Sequence, residues 1–176
     1  AEEKFFGEEI TDNAKALLSR LTLDPPFTGI KSIEALRALT SDDECVKKET
    51  ARFLKRGGAK GCSIFLIYFI LKALAENGEG AAAMSVLREY YGGMLDKGAT
   101  TFWENFDIEW CKGSCRIDEF PKENEKDIHG DFGAHCYQGF RHSLCHGWSS
   151  GAIAFLAECV AGVRVTGKGF SKIRFA

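Results

Sequence analysis

The sequence predicts an all-α fold of helical hairpins that closes with a short β segment, and three observations carry that reading. Apolar residues recur at helical spacing up to about residue 92, the run Ile64 to Leu71 is apolar all round, and after Gly162 the pattern changes to period two. A chain of 176 residues has the usual length of one domain and buries a core without staples. Its 45% hydrophobic and 27% charged content is a globular balance that argues against disorder. The net charge of -2 lacks the basic footprint of a nucleic-acid binder. The longest uncharged apolar run, Gly61 to Leu71, is too short to span a bilayer, so no membrane partner is expected.

Taken in order, Thr11 caps a segment with Ala14, Leu17, Leu18 and Leu21 on one face, and Pro25-Pro26 stop it. A short second helix starts after Ser32 and carries Ile33, Leu36 and Leu39. Ser41-Asp-Asp-Glu44 reads as a capping box that opens a third helix with Val46, Phe53 and Leu54, ending at Gly57-Gly58. From Gly61 to about Glu76 the all-round apolar run predicts a helix enclosed on every side. Asn77-Gly-Glu-Gly80 links it tightly to a helix with Met84, Leu87 and Tyr91 on one face, closed by Gly92-Gly93; such short links predict antiparallel hairpins. A last helix runs from Trp148 to Ala161, and Val163-Arg-Val-Thr and Lys172-Ile-Arg-Phe then read as strands.

Between Asn105 and Gly147 no period is sustained, and a connection of about forty residues without regular structure is often functional. All four histidines (129, 135, 142 and 146) fall in its last part, with Trp110, Tyr137 and Arg141. Two constellations flank it. Gly98-Ala-Thr-Thr-Phe-Trp-Glu104-Asn-Phe-Asp107 sets a carboxylate beside an indole, a pairing suited to sugars: aromatic faces stack on pyranose rings while the acid handles protons. His142-Ser-Leu-Cys-His146-Gly-Trp148-Ser-Ser-Gly151 runs a polar loop directly into a helix.

Seven cysteines cannot all pair within one chain, and most read as free thiols. Cys111, Cys115, His129, His135, Cys136, Cys145 and His146 offer zinc ligands, but their spacing lacks the Cys-x2-Cys repeat of a compact finger, and no metal or cofactor is expected. A local disulfide between Cys111 and Cys115 is the stronger alternative. The opening Ala-Glu-Glu-Lys has neither an initiator Met nor an apolar signal core, so an export signal is either removed or upstream and the compartment stays open.

The segments Tyr90-Tyr-Gly-Gly-Met-Leu-Asp-Lys-Gly-Ala-Thr-Thr-Phe-Trp-Glu104 and Ser143-Leu-Cys-His-Gly-Trp-Ser-Ser-Gly151 resemble the C-terminal part of the catalytic domain of bacterial α-L-rhamnosidases, glycoside hydrolase family 78. The resemblance covers the chain from about Gly57, including Arg-Ile-Asp at 116 to 118; the first fifty residues match only in helical character. It implies an (α/α)6 barrel of six helical hairpins followed by a β domain. It also implies hydrolysis of terminal α-L-rhamnosides with inversion, and a periplasmic or secreted setting.

Glu104 then takes the place of the carboxylate that activates water, and His146 that of a histidine bonding the sugar. Trp103 and Trp148 read either as sugar-stacking rings or as core indoles. Asp107 reads as a loop acid fixing local geometry, or alternatively as orienting Glu104 or water, and His135 and His142 as structural or as supports behind the site. The family's general acid sits in an earlier cluster of Asp, Arg, Glu and Trp; no Trp precedes Trp103, and about six helices are counted where the barrel has twelve. The expectation is therefore residues 1–162 as part of the barrel and 163–176 as the start of a β domain. The partners are then a rhamnose-containing glycoside or polysaccharide and the rest of the barrel, with self-association of exposed apolar faces. Ala152 departs from the family's Pro, a mild change at a helix start. Another (α/α)6 glycosidase, or a non-catalytic carbohydrate-binding or interaction module, remains the alternative.

Overall fold

A computed structural model describes residues 30–130 and 142–175. The segment expected around Thr11, Ala14 to Leu21 and Pro25-Pro26, together with His135, Cys136, Tyr137 and Arg141, lies outside the described residues. Within them the chain is mostly helical and ends in a two-stranded antiparallel sheet. The helices are α1 (Ile30–Thr40), α2 (Glu44–Lys55), α3 (Ile67–Glu76), α4 (Gly80–Asp96) and α5 (Gly151–Phe155), the last continued by a wide π turn, Leu156–Val160.

Helix α3 is the centre of the packing. It touches α1, α2, α4 and α5, and Ile67, Ile70, Leu71, Ala73 and Leu74 along it are buried. Enclosure is incomplete, since Tyr68, Phe69 and Lys72 are half-buried. Around α3 the core gathers Ala35 and Ala38 of α1, Leu54 of α2, Ala83, Val86, Tyr90 and Met94 of α4, and Phe155 of α5. Gly151 lets α5 come close to α3, because a Cβ there would sit 2.7 Å from the Tyr68 Cβ. No helix among the described residues is long and apolar enough to cross a membrane.

Several boundaries differ from the sequence reading. Helix α1 is described from Ile30, and Ser32 is buried inside it rather than standing at its start. The cap of α2 is Asp43, whose Oδ1 accepts from the Cys45 and Val46 N–H groups at 2.8 and 3.4 Å; Ser41 instead accepts from the Asp43 N–H. Helix α3 starts six residues later than the expected Gly61, because the preceding segment is held in turns by contacts remote in sequence. Lys31 Nζ donates to the Gly58 carbonyl at 2.5 Å, and the Ala59 N–H donates to Glu89 Oε2 at 2.9 Å. Burial holds the Lys31 ammonium below its ordinary pKa, against the opposing pull of Cys62 and Glu89.

Helix α4 runs through Gly92-Gly93 to Asp96. The expected stop fails because packing overrides the helix-breaking tendency of glycine: the Gly93 backbone lies against Ile108, Cys111 and Phe106. The two strands, β1 (Val163–Val165) and β2 (Ile173–Phe175), pair with Arg164 opposite Arg174. Val165, Ile173 and Phe175 on them are exposed. The six cysteines among the described residues are free thiols. The Cys111–Cys115 bridge is therefore not formed: the Cys111 thiol points to the Gly93 carbonyl and that of Cys115 to the Glu119 carbonyl. Burial pushes the Cys62 thiol up to about 11, so it acts as a small apolar side chain.

Adjacent glycines in α4 give a test of this packing. Gly92→Ala meets nothing within 4 Å and should stabilise by about 0.5–1 kcal/mol. A Cβ at Gly93 lies 2.6 Å from Ile108 Cδ1, so overpacking of about 1–3 kcal/mol cancels or reverses that gain. Urea unfolding of the two variants should separate them, whereas equal stabilisation by both would contradict the packing.

Candidate functional site

After α4 the chain turns at Gly98, where φ is +91°, and enters the aperiodic region. Two tyrosines in the C-terminal half of α4 anchor that region. The Tyr90 hydroxyl donates to the Phe106 carbonyl, and the Tyr91 hydroxyl donates to the Ser149 carbonyl at 2.9 Å. Burial raises both phenols far above their ordinary pKa, so both remain donors across the working pH range. Adjacent residues of one helix thus hold the two constellations singled out in the sequence.

Trp103 and Phe106 fill the space beneath. Trp103 is 1% exposed, with its ring against Phe106 and 4.5 Å from the His129 ring. This corrects its assignment as a sugar contact: an indole so enclosed offers no face to a ligand. His142, also buried, stacks on Trp110 and meets His129 edge-on, in keeping with a structural reading. Asp107 accepts from the Glu109 N–H at 2.9 Å and opens a short 3-10 turn, Ile108–Cys111. Its hydrogen bonds are local ones.

Residues 101 to 104 and 143 to 148 are joined by a series of hydrogen bonds. The Glu104 N–H donates to the Ser143 carbonyl at 2.9 Å, and the Ser143 N–H donates back to Glu104 Oε2 at 2.8 Å. The His146 N–H donates to the Phe102 carbonyl at 2.8 Å, and the Thr101 hydroxyl donates to the Leu144 carbonyl. Finally, Trp148 Nε1–H donates to the Glu104 carbonyl at 2.8 Å. Glu104 is thereby gripped at its N–H, its carbonyl and one carboxylate oxygen. Oε1 has no partner among the described residues and keeps its lone pairs for a ligand or water.

Glu104 and His146 are half-buried, and Trp148 is 49% exposed, so polar and aromatic groups share one open face. The His146 and Trp148 rings lie 4.6 Å apart, tilted by 42°. Sequence reasoning missed Tyr90, Tyr91 and Ser143 as the groups that orient this face. The Tyr-Tyr pair in the C-terminal half of the helix was a visible signal; the Ser143 contribution is a backbone N–H and has none.

Among the described residues no three His, Cys, Asp or Glu side chains gather to hold a metal ion. A groove of about 420 Å³ lies between α1 and α2, lined by Arg37, Val46, Thr50 and Phe53, and is separate from Glu104. Comparison with family models, with curated proteins and with solved structures finds no match for this chain.

The grip on Glu104 has a direct test. A glutamine carboxamide oxygen still accepts from Ser143, so Glu104→Gln should change stability by less than about 0.5 kcal/mol, while Glu104→Ala should cost about 1 kcal/mol. Amide exchange at Ser143 should stay slow in the first variant and accelerate in the second. Equal exchange in both would mean that the carboxylate does not hold the loop.

Proposed function

We propose that this chain is the base-carrying part of an inverting (α/α)6-barrel glycoside hydrolase acting on terminal α-L-rhamnosides. Residues 1–162 belong to the barrel and 163–176 begin a β domain. The observation that carries the reading is the hydrogen-bonded union of the Glu104 and His146 segments, which leaves one oxygen of an oriented carboxylate available beside exposed rings. Sugar chemistry needs that combination. Rings such as Trp148 take the apolar face of a pyranose, and polar groups fix its hydroxyls.

In the proposed reaction Glu104 is the general base. It takes a proton from a water molecule whose oxygen attacks the anomeric carbon, as the bond to the leaving oxygen breaks and a second carboxylic acid protonates that oxygen. Inversion places the two carboxyl groups about 6.5–9.5 Å apart, leaving room for the water. The acid comes from the remainder of the ring. Ser143 holds Glu104 Oε2, so that Oε1 faces the water, and His146 bonds a sugar hydroxyl. The half-exposed Ile153 and Val160 on α5 and its continuation would be covered by other helices of the ring, and they are where the isolated chain self-associates.

The openness of the face favours one second reading, a carbohydrate-binding module without turnover or one that serves another sugar. Loss of one acid–base partner alone costs about 10²–10⁴-fold in rate. The chain should therefore show no turnover of an aryl α-L-rhamnoside, but should bind L-rhamnose weakly and in preference to other hexoses, with binding lost in His146→Ala. Turnover abolished by Glu104→Gln would overturn the missing-acid account. Absence of sugar binding would overturn the site.

A further inference from the structure

Phe65 belongs to the apolar run expected inside an enclosed helix, yet it lies on the turn before α3 and is 50% exposed. Its ring centroid is 5.6 Å from that of Trp148, with the planes tilted by 43°. Trp148 in turn stands 4.6 Å from His146 and donates to the Glu104 carbonyl. The order across the face is therefore His146, Trp148, Phe65, with the Glu104 main chain bonded to the middle ring.

A single exposed phenylalanine is ordinary on a protein surface. This one is held in place. The Leu66 and Ile67 N–H groups both donate to the Ser63 carbonyl, the Cys62 N–H donates to the Ala59 carbonyl, and the base of the turn is clamped by Lys31 and Glu89. A ring carried on a fixed turn and seated beside Trp148 loses less freedom when a ligand covers it, which favours binding.

We propose that Phe65 is a specificity-determining residue of this face. Beside Trp148, it takes the apolar face of the group joined to the sugar held at Trp148, His146 and Glu104. An aryl glycoside or a disaccharide is thus bound in preference to the simple methyl glycoside. The inference rests on the reading of this face as a sugar site. The shared chemistry of the occupant is a flat, partly apolar ring in glycosidic linkage, either an aromatic aglycone or a second pyranose.

Ligand-observed NMR titrations of the full chain test it with methyl α-L-rhamnoside, para-nitrophenyl α-L-rhamnoside and a rhamnosyl-glucose disaccharide. The wild-type chain should bind one or both of the larger ligands at least about fivefold more tightly than the methyl glycoside, and which of them gains identifies the occupant. Phe65→Ala and Phe65→Leu should abolish that gain and leave methyl glycoside affinity within about twofold, while Phe65→Trp keeps it. The leucine variant preserves apolar volume, and its amide spectrum checks folding. Equal loss for all three ligands would reduce Phe65 to a support for Trp148 and overturn the inference, as would an unchanged preference. A Phe65-dependent gain with para-nitrophenyl glycosides of other sugars, and no binding of methyl α-L-rhamnoside, would overturn the rhamnose assignment while leaving the role of Phe65 standing. No binding by any ligand would overturn both.

Discussion

The hydrogen bonds between residues 101 to 104 and 143 to 148 are the constraint on which the candidate site depends. They close a loop of about forty residues, an entropic cost of about 3 kcal/mol. Half-exposed hydrogen bonds return about 1 kcal/mol each, so they close the loop only with little to spare. What tips the balance is beneath them: Trp103 and Phe106 are buried in the core, and Tyr90 and Tyr91 hold the two segments from the C-terminal half of α4. The burial of Trp103 thus matters to Glu104 although the indole meets no ligand. Its place in the core fixes the backbone on which the carboxylate stands.

The same logic reaches the opposite side of the face. Lys31 of α1 and Glu89 of α4 clamp the turn before α3, and that turn delays the helix and leaves Phe65 at the surface beside Trp148. Two sets of polar contacts, one around Glu104 and one at the turn before α3, therefore determine which rings face solvent. Neither set would form without the central helix α3, which touches every other helix described.

Helical character from α1 to α4, and the closing pair of strands, was legible in the sequence because burial imposes a period and the chain displays it. Boundaries were not. Asp43 rather than Ser41 caps α2 because two acceptor candidates stood two residues apart and only geometry selects between them. The Gly92-Gly93 stop gave way because Gly93 packs on Ile108, a contact formed across a turn that local signals do not encode. The late start of α3 has the same origin, since Lys31 and Glu89 lie 27 and 30 residues from their partners. Within the candidate site, the polar and aromatic character of Glu104, His146 and Trp148 is visible in the residue types. Their juxtaposition, and the burial of Trp103 one residue from a solvent-facing acid, come from long-range packing that alternation along one segment does not reveal.

A crystal structure of the chain soaked with L-rhamnose tests the central claim most directly. The account predicts a pyranose with its apolar face on Trp148, a hydroxyl bonded to His146, and the anomeric carbon facing Glu104 Oε1 across a water molecule, with the Ser143 N–H still on Oε2. Rhamnose seated in the groove between α1 and α2, or a Glu104 side chain released from Ser143 and turned away from the bound sugar, would contradict it.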